Sequence, residues 1–300
     1  MNQKQERPTR RLRRLLAEPG LIVAPGVADA LNARLVAAEG FKAIYMTGGG
    51  TSAVRLGMPD VGLITMPEMV DNAGRIADAS GLPVISDADT GYGNAINVLR
   101  TVRAYEKAGV AAIHLEDQNL PKRCGHLAGK SLVTKLEMTD KIRAACDARV
   151  DEDFVIIART DALAVEGLSA ALDRAAAYQD AGADMVFVEA PGTAEELAAI
   201  PKALKVPALF NMASSGKTPF LHRDEIARLG YKLAIYPNFA ILSAIPAVRH
   251  FLRVLRDEGT VANLRESMAT FVEWFDIVGM DEIKALEARY GTPEERRAGY

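Results

Sequence analysis

Cysteine is nearly absent from this sequence: Cys124 and Cys146 are the only two in 300 residues. Two thiols far apart make no disulfide framework, so a reducing cytoplasm is the natural setting. Net charge is also lacking, with 36 basic against 39 acidic side chains and a formal balance of −3. That removes the electrostatic argument for nucleic acid or an anionic membrane as partner. No apolar run approaches the length of a membrane span. The opening stretch MNQKQERPTRRLRRLL is charged and has no apolar segment of the secretory type. The expectation is a soluble, cytoplasmic protein. The basic cluster Arg10, Arg11, Arg13 and Arg14 is expected to form a solvated helix face.

What remains is ordinary globular composition, 49% hydrophobic and 25% charged. The length suits one α/β barrel with an added terminal element. Short β-branched or apolar runs alternate with longer stretches of helical period. The runs predict strands at Leu21–Ala24, Ala43–Thr47, Val84–Asp87, Ala112–Glu116, Val155–Arg159, Met185–Glu189, Ala208–Asn211 and Leu233–Tyr236. Between and after them the spacing predicts helices over Asp29–Ala38, Pro67–Ala79, Ala95–Ala108, Lys135–Ala148, Leu168–Ala181, Glu195–Ala203, Arg223–Leu229 and Phe239–Arg256. Glycines 109, 182 and 230 stand where left-handed helix C-caps are wanted. Eight such units predict a closed parallel (β/α)8 barrel of the TIM type in one domain. An open doubly wound sheet is the alternative, but the turn Ala24-Pro25-Gly26-Val27-Ala28-Asp29 is no GxGxxG fingerprint. Residues 257–300 then form a helical extension that either caps the barrel or crosses to a neighbouring subunit.

In such a barrel the chemistry sits at the C-terminal ends of the strands. Here those ends carry Tyr45 and Thr47, Asp87 and Asp89, Glu116 and Asp117, Arg159 and Asp161, Glu189, Asn211 and Tyr236. Asp87 and Asp89, two residues apart, repel each other unless a cation neutralises them. Oxygen ligands with no nearby histidine suit Mg2+, or Mn2+ as the alternative, and Glu116 and Asp117 are candidates to complete the set. The plain reading of the same pair is a polar turn. Lys122-Arg123-Cys124-Gly125-His126 follows directly, and two cations and a histidine beside a thiol predict a lowered pKa and proton-transfer chemistry. Gly125 and Gly129 leave this loop free to act as a lid. Cys146, in a helix, reads as inert packing. Thr47-Gly48-Gly49-Gly50 offers backbone N–H groups to an anion, and Arg159 suits a substrate carboxylate.

These motifs together resemble the isocitrate lyase/phosphoenolpyruvate mutase superfamily, most closely its short branch of 2-methylisocitrate and 2,3-dimethylmalate lyase-like enzymes. The resemblance runs from about Leu21 to Gly259 through Asp87-Ala-Asp89-Thr-Gly-Tyr-Gly, Glu116-Asp117-Gln118, the Lys122–His126 motif, Ala158-Arg159-Thr160-Asp161-Ala162, Phe187-Val188-Glu189-Ala190 and Gly216-Lys217-Thr218-Pro219. It implies that Asp87 and Asp89 hold Mg2+ with water-mediated help from Asp60 and Glu116. It implies that Tyr45, Thr47, Gly48 and Gly49 cradle an α-oxo acid, with Arg159 on its carboxylate and Glu189 and Asn211 completing the pocket. Cys124 is then the acid that protonates the departing carbanion, with Lys122, Gly125 and His126 around it. The resemblance also implies a homotetramer that swaps C-terminal helices.

Two departures bear on substrate. Ser214-Ser215 stands where relatives carry a glutamate before the glycine, and Leu127-Ala128-Gly129 replaces an Arg-Pro-Asn. Both favour a substituted malate over a tricarboxylate. The leading expectation is a Mg2+-dependent lyase that splits a 2-hydroxy di- or tricarboxylate into pyruvate or a related oxo acid plus a carboxylic acid. An oxaloacetate decarboxylase or hydrolase is the alternative, but decarboxylation needs no donor like Cys124. A phosphonopyruvate-processing enzyme and a non-catalytic barrel rank below.

Overall fold

The computed structural model describes residues 6–214 and 216–292. Its strands are β1 (Ile22–Val27), β2 (Ile44–Met46), β3 (Val84–Asp87), β4 (Ala112–Glu116), β5 (Val155–Thr160), β6 (Met185–Val188), β7 (Ala208–Asn211) and β8 (Leu233–Tyr236). All neighbours pair in parallel, and β8 closes back on β1 with Ile22 opposite Leu233. The (β/α)8 barrel expected from the alternating pattern is what the chain forms.

The helices are α1 (Pro8–Ala17), α2 (Ala30–Ala38), α3 (Gly48–Leu56), α4 (Met66–Ser80), α5 (Ala95–Lys107), α6 (Lys135–Ala148), α7 (Leu163–Glu166), α8 (Leu168–Asp180), α9 (Ala194–Ala203), α10 (Arg223–Leu229), α11 (Phe239–Glu258), α12 (Phe271–Ile277) and α13 (Met280–Tyr290). None of those described is long and apolar enough to cross a membrane. The chain divides into two compact units, Met1–Ile241 and Leu242–Tyr300. The second unit contains the rest of α11, a 3-10 turn at Ala262–Ser267, and α12 and α13.

Side chains alternate across a strand, so every second residue points into the barrel. The interior is filled by Ile22 and Ala24, Ala43 and Tyr45, Ile85, Ala112, Val155 and Ile157, Met185 and Phe187, Leu209, and Leu233 and Ile235. Continuing the same alternation past this core gives Thr47, Asp87, Arg159, Glu189 and Asn211 at the next inward position, and on β4 His114 and then Glu116. The floor of the mouth is therefore set by the register that packs the core. A slip of one residue would turn the whole set outward.

Helix α1 departs from its expectation as a solvated face. Leu12 and Leu15 are buried in the same interior cluster, plugging the barrel's base. The arginines beside them are partly committed to the barrel. Arg13 pairs with Asp184 at 2.8 Å and Arg11 donates to the Gly81 carbonyl at 2.7 Å. Arg10 and Arg14 do remain largely exposed. A charged run with two leucines at i and i+3 is enough to bury one stripe and leave the rest wet.

Candidate active site

The acidic side of the mouth begins at Asp87, the last residue of β3. Its Oδ2 accepts from the Gly48 N–H at 3.2 Å and its Oδ1 from the Asp89 N–H at 2.9 Å. Gly48 is the first residue of α3, so that helix directs its N-terminus at the carboxylate. A Cβ on Gly48 would lie 2.4 Å from Asp87 Oδ2, and one on Gly49 would press on Asp60. These two glycines were expected to cradle substrate. Their immediate neighbours are the two carboxylates. Thr47 caps α3, accepting from Gly50 N, and its hydroxyl donates to Asn238 at 3.1 Å.

Asp89 holds a left-handed backbone, φ 46°, which turns its carboxylate back into the mouth. Burial pushes its pKa up to about 6, with Asp87 and Asp60 adding to the rise and Lys122 opposing it. Glu116 ends β4 fully buried, and neither of its oxygens has a hydrogen-bond partner. Burial drives its pKa well above the usual carboxylate range. Asp117, proposed with it as a ligand, points the other way. Its carboxylate accepts from the Thr160 hydroxyl (2.7 Å), the Tyr178 hydroxyl (2.8 Å) and the Asp161 N–H (2.9 Å), so it anchors the end of β5 and does not join the ring.

The loop after β4 lies over this ring. Lys122 Nζ sits 2.7 Å from Asp89 Oδ1 and also binds Asp60. Gly125 packs so closely on the far wall that a Cβ would fall 2.3 Å from Arg159 Nη2 and 2.7 Å from Glu189 Cγ. His126 Nε2 is 3.1 Å from Glu189 Oε1. Cys124, between these contacts, is half-buried. The expectation of a lowered thiol pKa is overturned. Burial pushes it above its ordinary value of 9.0, and Asp60 and Glu189 add to the rise against the His126 N–H and Arg159. The flanking cations face elsewhere: Lys122 binds the acidic ring, and the Arg123 guanidinium reaches the Ala128 carbonyl at 3.3 Å. Burial thus favours the protonated form of this thiol.

Opposite stands Arg159, buried and surrounded by acids. It forks onto Asp161 at 3.0 and 3.3 Å, and lies 3.3 Å from Glu116 and 3.4 Å from Glu189. Its guanidinium carbon stacks 5.1 Å from the Phe187 ring centre. Asn211 donates to both Glu189 oxygens at 3.2 and 3.1 Å, leaving its own Oδ1 buried without a partner. Ser215 lies outside the described residues.

Three participants were not foreseen. His114 occupies the inward position two residues before Glu116. Its Nε2 is 2.9 Å from the Tyr45 hydroxyl and 3.7 Å from Asp87 Oδ1. Burial, with help from Arg159 and Lys122, lowers its pKa to about 4 against the pull of Asp87, so the ring is neutral near pH 7. Tyr45 is likewise held as a neutral phenol, chiefly by burial and then by Asp87. Strand parity counted back from Glu116 marks His114. Lys130 and Asn238 approach the mouth from loops, where no periodicity points to them.

An acid ring, a half-buried thiol on the loop after β4 and an acid-caged arginine meet at the mouth of a (β/α)8 barrel. The chain belongs to the phosphoenolpyruvate phosphomutase family, whose model matches residues 12–256. It is 48% identical over 282 residues to 2,3-dimethylmalate lyase of Eubacterium barkeri, spanning 94% of this chain and 98% of the relative. It is 44% identical over 285 residues to 2-methylisocitrate lyase of Salmonella typhimurium, spanning 94% and 97%. Among solved structures, oxaloacetate acetylhydrolase in complex with 3,3-difluorooxalacetate superimposes with a TM-score of 0.91 at 41% identity, covering 95% of this chain and 97% of that one. The superfamily read from the sequence is borne out, and with it the enzyme class of a lyase.

Proposed function

We propose that this enzyme cleaves the C2–C3 bond of a 2-hydroxy dicarboxylate of the substituted-malate type, releasing pyruvate or a related oxo acid. What supports this reading is the placement of Cys124 on the loop after β4, between Lys122 on the acidic ring and Gly125 against Arg159. In the cleavage direction the C2–C3 electron pair goes to C3, which takes the Cys124 proton; the C2 hydroxyl becomes the carbonyl as its proton passes to a carboxylate of the acidic ring, and exchange with solvent carries a proton from there back to the Cys124 thiolate. Arg159 binds the oxo-acid carboxylate, and its buried setting strengthens that contact. Tyr45 and Thr47 orient the oxygen end. Gly125 seals the pocket at Arg159, which keeps water from the carbanion.

The donor set fits a hard divalent cation. Asp60, Asp87, Asp89, Glu116, Asp161 and Glu189 meet, among the described residues, three permanent cations, Lys122, Lys130 and Arg159, beside the two imidazoles of His114 and His126, and both Glu116 oxygens are buried without hydrogen-bond partners. Among the described residues no three acidic, histidine or cysteine side chains converge tightly enough to grip an ion. Lys122 Nζ stands between Asp60 and Asp89, which spreads the carboxylates. Mg2+, with Mn2+ as a substitute, would be held by Asp87 and Asp89 with Asp60 and Glu116 behind them. When bound, such an ion polarises the substrate's C2 oxygen and carboxylate.

The test is an assay of the purified enzyme with Mg2+ on 2,3-dimethylmalate, 2-methylisocitrate and oxaloacetate. We expect turnover of a hydroxy acid, with dimethylmalate preferred, and loss of activity in EDTA. Turnover of oxaloacetate alone would favour the hydrolase or decarboxylase reading, which the likeness to oxaloacetate acetylhydrolase keeps as the rival. Activity unchanged by EDTA would overturn the metal assignment.

The same reading extends to assembly. Helix α11 has no buried residue and exposes Phe239, Leu242, Ile245, Val248, Leu252 and Leu255 along one stripe. The unit Met1–Ile241 carries a groove of about 560 Å³ lined in part by Leu21, Val23, Phe41 and Tyr236. A homotetramer in which these helices exchange between copies gives the stripe a partner. Sedimentation of the purified protein reads the outcome, and a monomer rules it out. Two free thiols and the absence of a described membrane-spanning helix support a reducing, cytoplasmic setting.

A further inference from the structure

Lys130 lies outside the motifs read from the sequence, yet its side chain is only 2% exposed. A buried ammonium is costly unless its donors are met. Here two of the three are met, by groups of different kind. One is Asp161 Oδ1, at 2.8 Å. The other is the carbonyl of Gly125, the residue between Cys124 and His126.

Asp161 is a fixed point. Arg159 forks onto it, and its N–H donates to Asp117, which in turn is held by Thr160 and Tyr178. Gly125 belongs to the loop. The loop's stem is a short antiparallel contact, Gln118 opposite Leu132, with Asn119 N–H donating to the Ser131 carbonyl at 2.9 Å. The Gln118 side chain ties down the Arg123 backbone through both its N–H and its carbonyl. Beyond that stem two lysines pin the lid. Lys122 reaches the acidic ring, and Lys130 reaches Asp161 on the side of Arg159.

We infer that Lys130 is a positioning residue that latches the Cys124–His126 turn over Arg159 by bridging the Gly125 carbonyl to Asp161. It touches no reacting atom. Its ion pair with Asp161 makes the placement of the thiol depend on the same carboxylate that orients Arg159. When the latch opens, Gly125 leaves the guanidinium and water reaches the mouth. The inference rests on the reading of Cys124 as the acid, but its test does not require turnover.

The experiment measures alkylation of Cys124 by iodoacetamide in a Cys146→Ser background, which removes the only other thiol. Rates are compared with and without Mg2+ plus pyruvate. In Lys130→Met we expect alkylation about tenfold faster, as the loss of one buried charged hydrogen bond predicts, and little protection by the added oxo acid. In Lys130→Arg, which keeps a charged donor, both rate and protection should stay near the parental values. On whichever hydroxy acid is cleaved, Lys130→Met should lower kcat more than it raises KM. Should Lys130→Met fail to fold, Lys130→Gln carries the same comparison. Alkylation of the neutral variant at the parental rate, with protection intact, contradicts the latch and leaves Lys130 a purely structural ion pair. A parental enzyme that cleaves neither hydroxy acid sinks the lyase reading, while the alkylation comparison still decides the latch.

Discussion

Replacing Cys124 with serine should lower kcat on the hydroxy acid by about a thousandfold, within the usual range for loss of a positioned general acid. That corresponds to roughly 4 kcal/mol of barrel-mouth catalysis resting on one proton. The serine hydroxyl is similar in size, so the lid should still close. Its proton is far less available, because an alcohol is a much weaker acid than even this elevated thiol. KM and thermal stability should therefore change little while kcat collapses. The pH profile gives a second reading. The acid form of Cys124 is lost only above its ordinary 9.0, because burial raises it. Cleavage by the unmodified enzyme should persist through neutral pH and fall on the alkaline side of that value. A fall below pH 8 assigned to Cys124 would restore the lowered thiol and contradict the burial argument.

Replacing Arg159 with methionine should cost stability as well as activity. Removal of the guanidinium leaves Asp161, Glu116 and Glu189 buried together without their shared counter-charge. Breaking such a pair from one side typically costs about 3–5 kcal/mol. For a chain of this size that is on the order of 6–20 °C in Tm. Lost contact with Phe187 adds to it. The loss should shrink as pH falls, since protonating the stranded acids relieves their repulsion. Burial already raises Glu116, so Glu116 should take a proton first. Arg159→Lys keeps the charge but not the fork, and should fall between the two in both Tm and kcat/KM. A methionine variant melting within a degree of the parent would mean the acids are solvated, not caged.

The strand ends were legible because one alternation serves both the core and the mouth. Residues 43, 45 and 47, or 155, 157 and 159, pass from apolar packing to site chemistry without changing face. The acid cluster was legible for the same reason. Adjacent acids at a strand end were harder: Glu116 and Asp117 read alike, yet the pleat turns one into the mouth and the other toward Tyr178 and Arg174. The lid was misread in its electrostatics. Neighbours in sequence are not neighbours in field, and Lys122 and Arg123 spend their charges away from the thiol. His114 was hidden inside an apolar run, although the parity that exposes it was available. Lys130 has no such rule, because its role depends on how a loop folds back on itself. The plug at the barrel's base was not read at all, because in an arginine-rich helix only Leu12 and Leu15 mark the buried stripe.

The central claim is that a protein-held acid delivers one proton to the carbon released from C2. Cleavage of 2,3-dimethylmalate in D2O, followed by NMR and mass analysis of the carboxylic acid product, tests it directly. A thiol exchanges with solvent before each turnover, so the product should carry one deuterium at that carbon, placed on a single face. Deuterium scattered over both faces would mean that free water protonates the carbanion, and Cys124 on its lid would not be the donor.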